Sequence, residues 1–116
     1  MLTDYLLIVS SHEDLDVWST IEVGIDDFKC MDMHLEFVDS SDQKHHTHAT
    51  LDRENTAALA KKLKTDVAHL PDAIDEEFGN LGNSMLLPSQ VEAIFQEMLE
   101  YILDHGLHYR LKRSLR

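Results

Sequence analysis

Cys30 is the only cysteine in the chain, so no intrachain disulfide can form, a usage that fits a reducing compartment. Two prolines and four glycines are too few for a low-complexity or collagen-like chain, and 43% hydrophobic with 28% charged residues is ordinary globular composition. Long apolar runs are missing too. "YLLIV" (residues 5–9) is only five residues, has no basic stretch before it and is followed by acids. It suits neither a secretory signal nor a membrane span, and the expectation is a soluble cytoplasmic protein.

Basic residues are scarce. Ten face twenty-two acidic ones, for a formal net charge of −12 with neutral histidines. Four of the ten (Arg110, Lys112, Arg113, Arg116) fall in the last seven positions, so residues 1–106 carry −16. Such a field repels phosphate backbones and anionic membranes, which argues against nucleic-acid and membrane partners and favours a basic protein or self-association.

The standard catalytic patterns are also absent. There is no HExxH, no cysteine pair and no GxxxxGK[ST]. "GNLGNS" (residues 79–84) lacks a nearby lysine and reads as a loop rather than a phosphate cradle. Ser10, Ser11 and His12 are adjacent, but adjacency is not triad geometry. Cys30 follows Lys29 without an identifiable base and reads as a structural thiol. No catalytic residue is assigned, and the chain is expected to be non-enzymatic.

The patterning gives the fold. In "CMDMHLEFV" (residues 30–38) Met31, Met33, Leu35 and Phe37 alternate with Asp32, His34 and Glu36, the period of a half-buried strand. "VDSSDQK" reads as a turn, and "KHHTHATL" as the returning strand with Thr47, Ala49 and Leu51 inward. "DVWSTIEVGI" (residues 16–25) is a further strand, with an irregularity expected at residues 24–27, an odd-numbered loop or a bulge near Gly24, that sets Ile21 opposite Met31. "YLLIVS" reads as a first strand, with a short helix as the alternative.

From Asp52, a good N-cap, the period becomes helical: Leu59, Ala60, Leu63 and Val67 recur, with a break near Thr65-Asp66 and a stop at Pro71. A short helix, residues 72–78, follows with Gly79 as a left-handed terminator. The last helix carries Val91, Ile94, Phe95, Met98, Leu99 and Ile102 on one face. Ser89 and Glu92 are read as its capping box and Gly106 as its end. Residues 107–116 form a basic tail. Leu107, Leu111 and Leu115 permit an amphipathic helix, but the acidic remainder favours folding back on the same molecule or a neighbouring copy. The expected architecture is one α+β domain over residues 1–116, an antiparallel meander of about four strands followed by two or three helices on one face.

Two groups of residues are functional candidates. If outer residues face outer residues, 34 pairs with 48 and 36 with 46, clustering His34, Glu36, His46 and His48 with cross-strand Cβ atoms roughly 5 Å apart. Three imidazoles and a carboxylate are a competent donor set for a zinc-like cation. The arrangement expected first is nonetheless a solvent-accessible polar face, with no required cofactor and with any metal held weakly. The second group is Trp18, opposite the apolar face of its strand, and the acidic run Asp75, Glu76 and Glu77, as contacts for a partner. The leading expectation is a small acidic protein-binding module of adaptor, inhibitor or immunity type toward a basic partner. The alternative is a metal-binding or metal-dependent hydrolytic protein, and a third is a pH-responsive one. Charging all eight histidines would move the formal charge from −12 to −4.

Overall fold

Strict alternation in β3 (Met31–Val38) sets the layers of the molecule: Met31, Met33 and Leu35 are buried on one side, while Asp32, His34 and Glu36 point to the other. The computed structural model describes residues 4–11, 17–41, 43–79 and 87–115. Around β3 lie β1 (Asp4–Ser10), β2 (Trp18–Ile25), β4 (Lys44–Leu51) and β5 (Arg110–Leu115), in the spatial order β1-β2-β3-β4-β5 with every neighbouring pair antiparallel. The sheet is therefore a meander of five strands rather than four. The fifth comes from the basic tail, which folds back beside β4 instead of forming a helix.

"YLLIVS" is a strand, and its lack of alternation has a structural cause. The register against β2 slips between Leu7 and Val9, so Ile8 is an extra residue and both Ile8 and Val9 are buried. Of the two expected ways to keep the faces together, the odd-numbered loop occurs and the bulge near Gly24 does not. β2 and β3 pair without a break, with Ile25 opposite Met31 and Ile21 opposite Leu35. An odd loop, residues 26–30, keeps the apolar faces together. Asp26 Oδ1 accepts from the backbone N–H of Phe28 and Cys30, and Lys29 takes a positive φ of 65°.

Helices α1 (Arg53–Lys62), α2 (Leu70–Phe78) and α3 (Pro88–Asp104) cover the inward side of the sheet. Their buried residues Leu59, Leu70, Ile74, Val91, Phe95, Met98 and Ile102 join Val9, Ile21, Val23, Met31, Met33 and Leu51 in one apolar cluster. Asp52 caps α1 as expected, accepting from Asn55 N at 2.8 Å. Thr56, fully buried, donates to the Leu51 carbonyl and accepts from Met31 N, tying α1 to two strands.

The helix ends depart from the sequence reading in three places. Pro71 does not stop α1, which ends at Lys62 with Lys64 in the left-handed region (φ 58°). Pro71 lies instead in the first turn of α2, where its missing N–H costs nothing. Ser89 and Glu92 do not form a capping box. Pro88 starts the helix earlier, and the Gln90 side chain accepts from Leu87 N at 2.7 Å. Gly106 ends α3 with the expected positive φ of 74°.

Gly79 is extended rather than left-handed (φ −64°, ψ 149°). What it supplies is room, since a Cβ there would lie 2.5 Å from the Asp75 carbonyl oxygen and 2.3 Å from Oδ1. Gly79→Ala is expected to cost about 1–3 kcal/mol, read from the urea midpoint at constant slope. An unchanged midpoint would mean that the end of α2 rearranges freely. The loop of residues 79–88 falls mostly outside the described residues, as does His12. No described helix is long and apolar enough to cross a membrane.

Candidate metal centre

Continuous register across the sheet aligns outward side chains in rows. One row reads Leu7, Glu22, His34, His48, Lys112, and its neighbours read Thr20, Glu36, His46, Ser114 and Tyr5, Gly24, Asp32, Thr50, Arg110. The anticipated pairs 34 with 48 and 36 with 46 both occur. His34, His46 and His48 each present a ring nitrogen, all within 4.8 Å of one another.

These rings are not freely solvated. Side-chain exposure is 11% for His34 and 12% for His46, against 34% for His48. The expected solvent-accessible face is thus correct in direction and wrong in exposure. The rings cover one another, with His46 and His48 both packed against His34 on the central strand β3.

His34 Nε2 and His46 Nδ1 lie 2.8 Å apart, with ring centroids 5.0 Å apart and planes inclined by 14°. The rings are therefore nearly coplanar and joined edge to edge through an N–H···N bond. His48 stacks face to face on His34, with centroids 4.3 Å apart and planes within 4°. A tetrahedral ion with bonds of about 2.0–2.1 Å to nitrogen needs neighbouring nitrogens about 3.4 Å apart. The His34–His46 edge is slightly shorter than that, and the His48 nitrogen lies within 4.8 Å of both.

A carboxylate fixes the tautomer of one ring. His48 Nδ1 faces Asp32 Oδ2 at 2.8 Å, so it carries the proton and leaves Nε2 with a lone pair. Asp32 is itself held on both oxygens. The Tyr5 hydroxyl donates to Oδ2, and the Thr50 hydroxyl to Oδ1 at 3.2 Å. His34 Nδ1 lies 3.7 Å from Glu22, beyond hydrogen-bond distance, so either ring can supply the proton of the His34–His46 bond. Among the described residues His46 Nε2 has no hydrogen-bond partner, although it is buried.

Glu36 does not join the three imidazoles as a fourth equal donor. Its Oε2 lies 3.8 Å from His46 Nδ1, and it forms a second group with Glu22 and His34. Burial, then the neighbouring Glu36, pushes the Glu22 carboxyl above its usual range. Burial also pushes the Tyr5 hydroxyl up, reinforced by its bond to Asp32, so it stays a donor.

Burial pushes His34 below its ordinary value near 6.5, helped by His48 and His46 and opposed by Glu36 and Asp32. Without metal, stability carried by this depressed group is present above 6.5 and falls as pH drops, because the unfolded chain takes up a proton that the folded site resists. His69, raised by its bond to exposed Asp66, pulls the opposite way over the same range. Glu22, held above 4.5, also pulls that way, from lower pH. In chelator, the loss of stability between about pH 7 and pH 5 should be smaller in His34→Gln than in the unsubstituted protein. Equal slopes would show that His34 titrates as it does in the unfolded chain.

Asp32, Tyr5, Thr50 and Glu22 escaped the sequence reading as parts of this site. Asp32 and Thr50 share the outward parity of the histidines, which is the signal that could have found them. Glu22 was hidden by register, because setting Ile21 opposite Met31 shifts it four residues from its true partner, His34.

The partner-contact candidates are not brought together. Trp18 starts β2 on the outward side, whereas Asp75, Glu76 and Glu77 lie on α2, which packs on the inward side against β1 and β2. The Cys30 thiol is pushed up by burial and by Asp26 and Asp52, the opposite of an activated nucleophile. Searches against protein-family models, curated proteins and solved structures find no match.

Proposed function

We propose that this protein binds a divalent transition-metal ion, with zinc as the reference case, through His34, His46 and His48 on the outward face of the sheet. The observation that carries this reading is the convergence of three imidazoles, each with a ring nitrogen within 4.8 Å of the other two, with His48 held by Asp32; an ion would replace the proton shared by His34 and His46. Neutral imidazoles suit zinc, copper or nickel better than calcium or magnesium. Such a site leaves one tetrahedral position open, because Glu36 stands beside His46 rather than among the three nitrogens.

Equilibrium dialysis of untagged protein against zinc tests this, with one ion per chain expected and His46→Ala expected to abolish it. Binding should fade as pH falls through the histidine range, since the ligands must be deprotonated. A chain that retains no more zinc than its His46→Ala variant ends the proposal.

The uncovered outward face favours a second reading, a protein-binding module. Leu7 is 48% exposed there and lines one shallow depression with Trp18. A basic partner suits the net charge of −12 and the exposed Glu76 and Glu77. Salt-sensitive binding of a basic protein, lost in Glu76→Lys/Glu77→Lys, would support it, and binding indifferent to both salt and substitution would not.

A further inference from the structure

We infer that the metal site takes a small phosphate-type oxyanion as its exogenous ligand, held between the ion and the Lys112 ammonium. This rests on the metal reading above and adds what occupies the open position. The outward face is divided electrostatically along the strands. Glu22, Asp32 and Glu36 stand on β2 and β3, whereas β4 and β5 contain no acidic residue. On that acid-free half, Lys112 is directly opposite His48, Arg110 opposite Thr50, and the Ser114 hydroxyl opposite His46. Lys44 stands two positions before His46 on the same face.

Directly opposed residues have Cβ atoms about 5 Å apart, so a lysine side chain reaches easily over its neighbouring imidazole. Arg110, Lys112 and Ser114 are exposed, and among the described residues no salt bridge engages Lys44, Arg110 or Lys112. Arg110 also feels Asp52, which leaves Lys112 as the cation most fully available.

The charges decide the ligand class. A divalent ion and Lys112 balance the three carboxylates and Asp52 offsets Arg110, so the positive field is confined to the acid-free side of the site formed by β4 and β5. An anion fits that field, and one with several oxygens can bind the ion, the ammonium and the Ser114 hydroxyl together. The carboxylates screen approach from β2, so the ligand enters from the β5 side.

Cobalt(II) in place of zinc makes the test optical, since its visible spectrum reports a new ligand. The full chain is loaded with cobalt(II) and titrated with inorganic phosphate. A saturable spectral change is expected, weakened about tenfold by Lys112→Ala and largely restored by Lys112→Arg, with Lys62→Ala on α1 as an unaffected control. If cobalt(II) binds but its spectrum ignores phosphate, the oxyanion is refuted and the metal site stands. If phosphate binds equally well to Lys112→Ala, the assigned cation is refuted. If cobalt(II) does not bind, both readings fall together.

Discussion

Asp32→Asn is expected to weaken zinc binding by about 10–100-fold while leaving the protein folded. The substitution is nearly isosteric. An asparagine can still accept from His48 Nδ1 and meet the Thr50 hydroxyl, so the hydrogen-bond geometry around it survives. What is lost is the negative charge that makes the imidazole a better donor at Nε2 and holds the ring in one tautomer. Tyr5→Phe should do the same more weakly, because Tyr5 acts only through Asp32. Titration against a competing chelator gives the affinities, and denaturant midpoints in chelator confirm that the variants fold. Unchanged affinity in Asp32→Asn would remove Asp32 from the site and leave His48 without an orienting partner.

The parts of this architecture legible in the sequence are those that depend on short-range periodicity. Alternation in residues 31–38 fixes which side chains of β3 face outward, and a turn of ordinary length then fixes His34 opposite His48. The apolar stripe of α3 needs no partner to be recognised. Gly106 is legible because a left-handed helix end favours glycine.

Long-range register was not legible. The loop at residues 26–30 closes through side-chain bonds from Asp26 and a positive φ at Lys29, neither of which a hydrophobic pattern reports. A four-residue error there was enough to remove Glu22 from beside His34. The tail had the same ambiguity. "RLKRSL" alternates and also repeats every four residues, and only pairing with β4 selects the strand. That pairing makes β4 an interior strand, yet His48 beside β5 stays the most exposed of the three rings and His34 on β3 is the most buried. Burial at the site therefore follows the packing of its own side chains across β2, β3 and β4.

The second large effect concerns the opposite face. Phe95→Ala should destabilise the protein by about 3–5 kcal/mol, a large share of the 5–15 kcal/mol typical of a domain. Phe95 is 1% exposed at the centre of the α3 stripe and is among the largest fully buried side chains. Removing its ring takes away apolar burial and leaves a cavity among side chains held by both sheet and helices. The histidine cluster shares none of these atoms, because its rings project from the other side of β3 and β4. Zinc should therefore raise the stability of Phe95→Ala by the same amount as that of the unsubstituted protein, the increment set by ion concentration and affinity alone. Urea unfolding of both proteins, with zinc and with chelator, measures the four stabilities required. An additive result places core and site on independent faces of one sheet, with folding supplied by the apolar cluster and the ion bound afterwards. A zinc increment that collapses in Phe95→Ala would show instead that the histidine cluster is held in place by the helical layer.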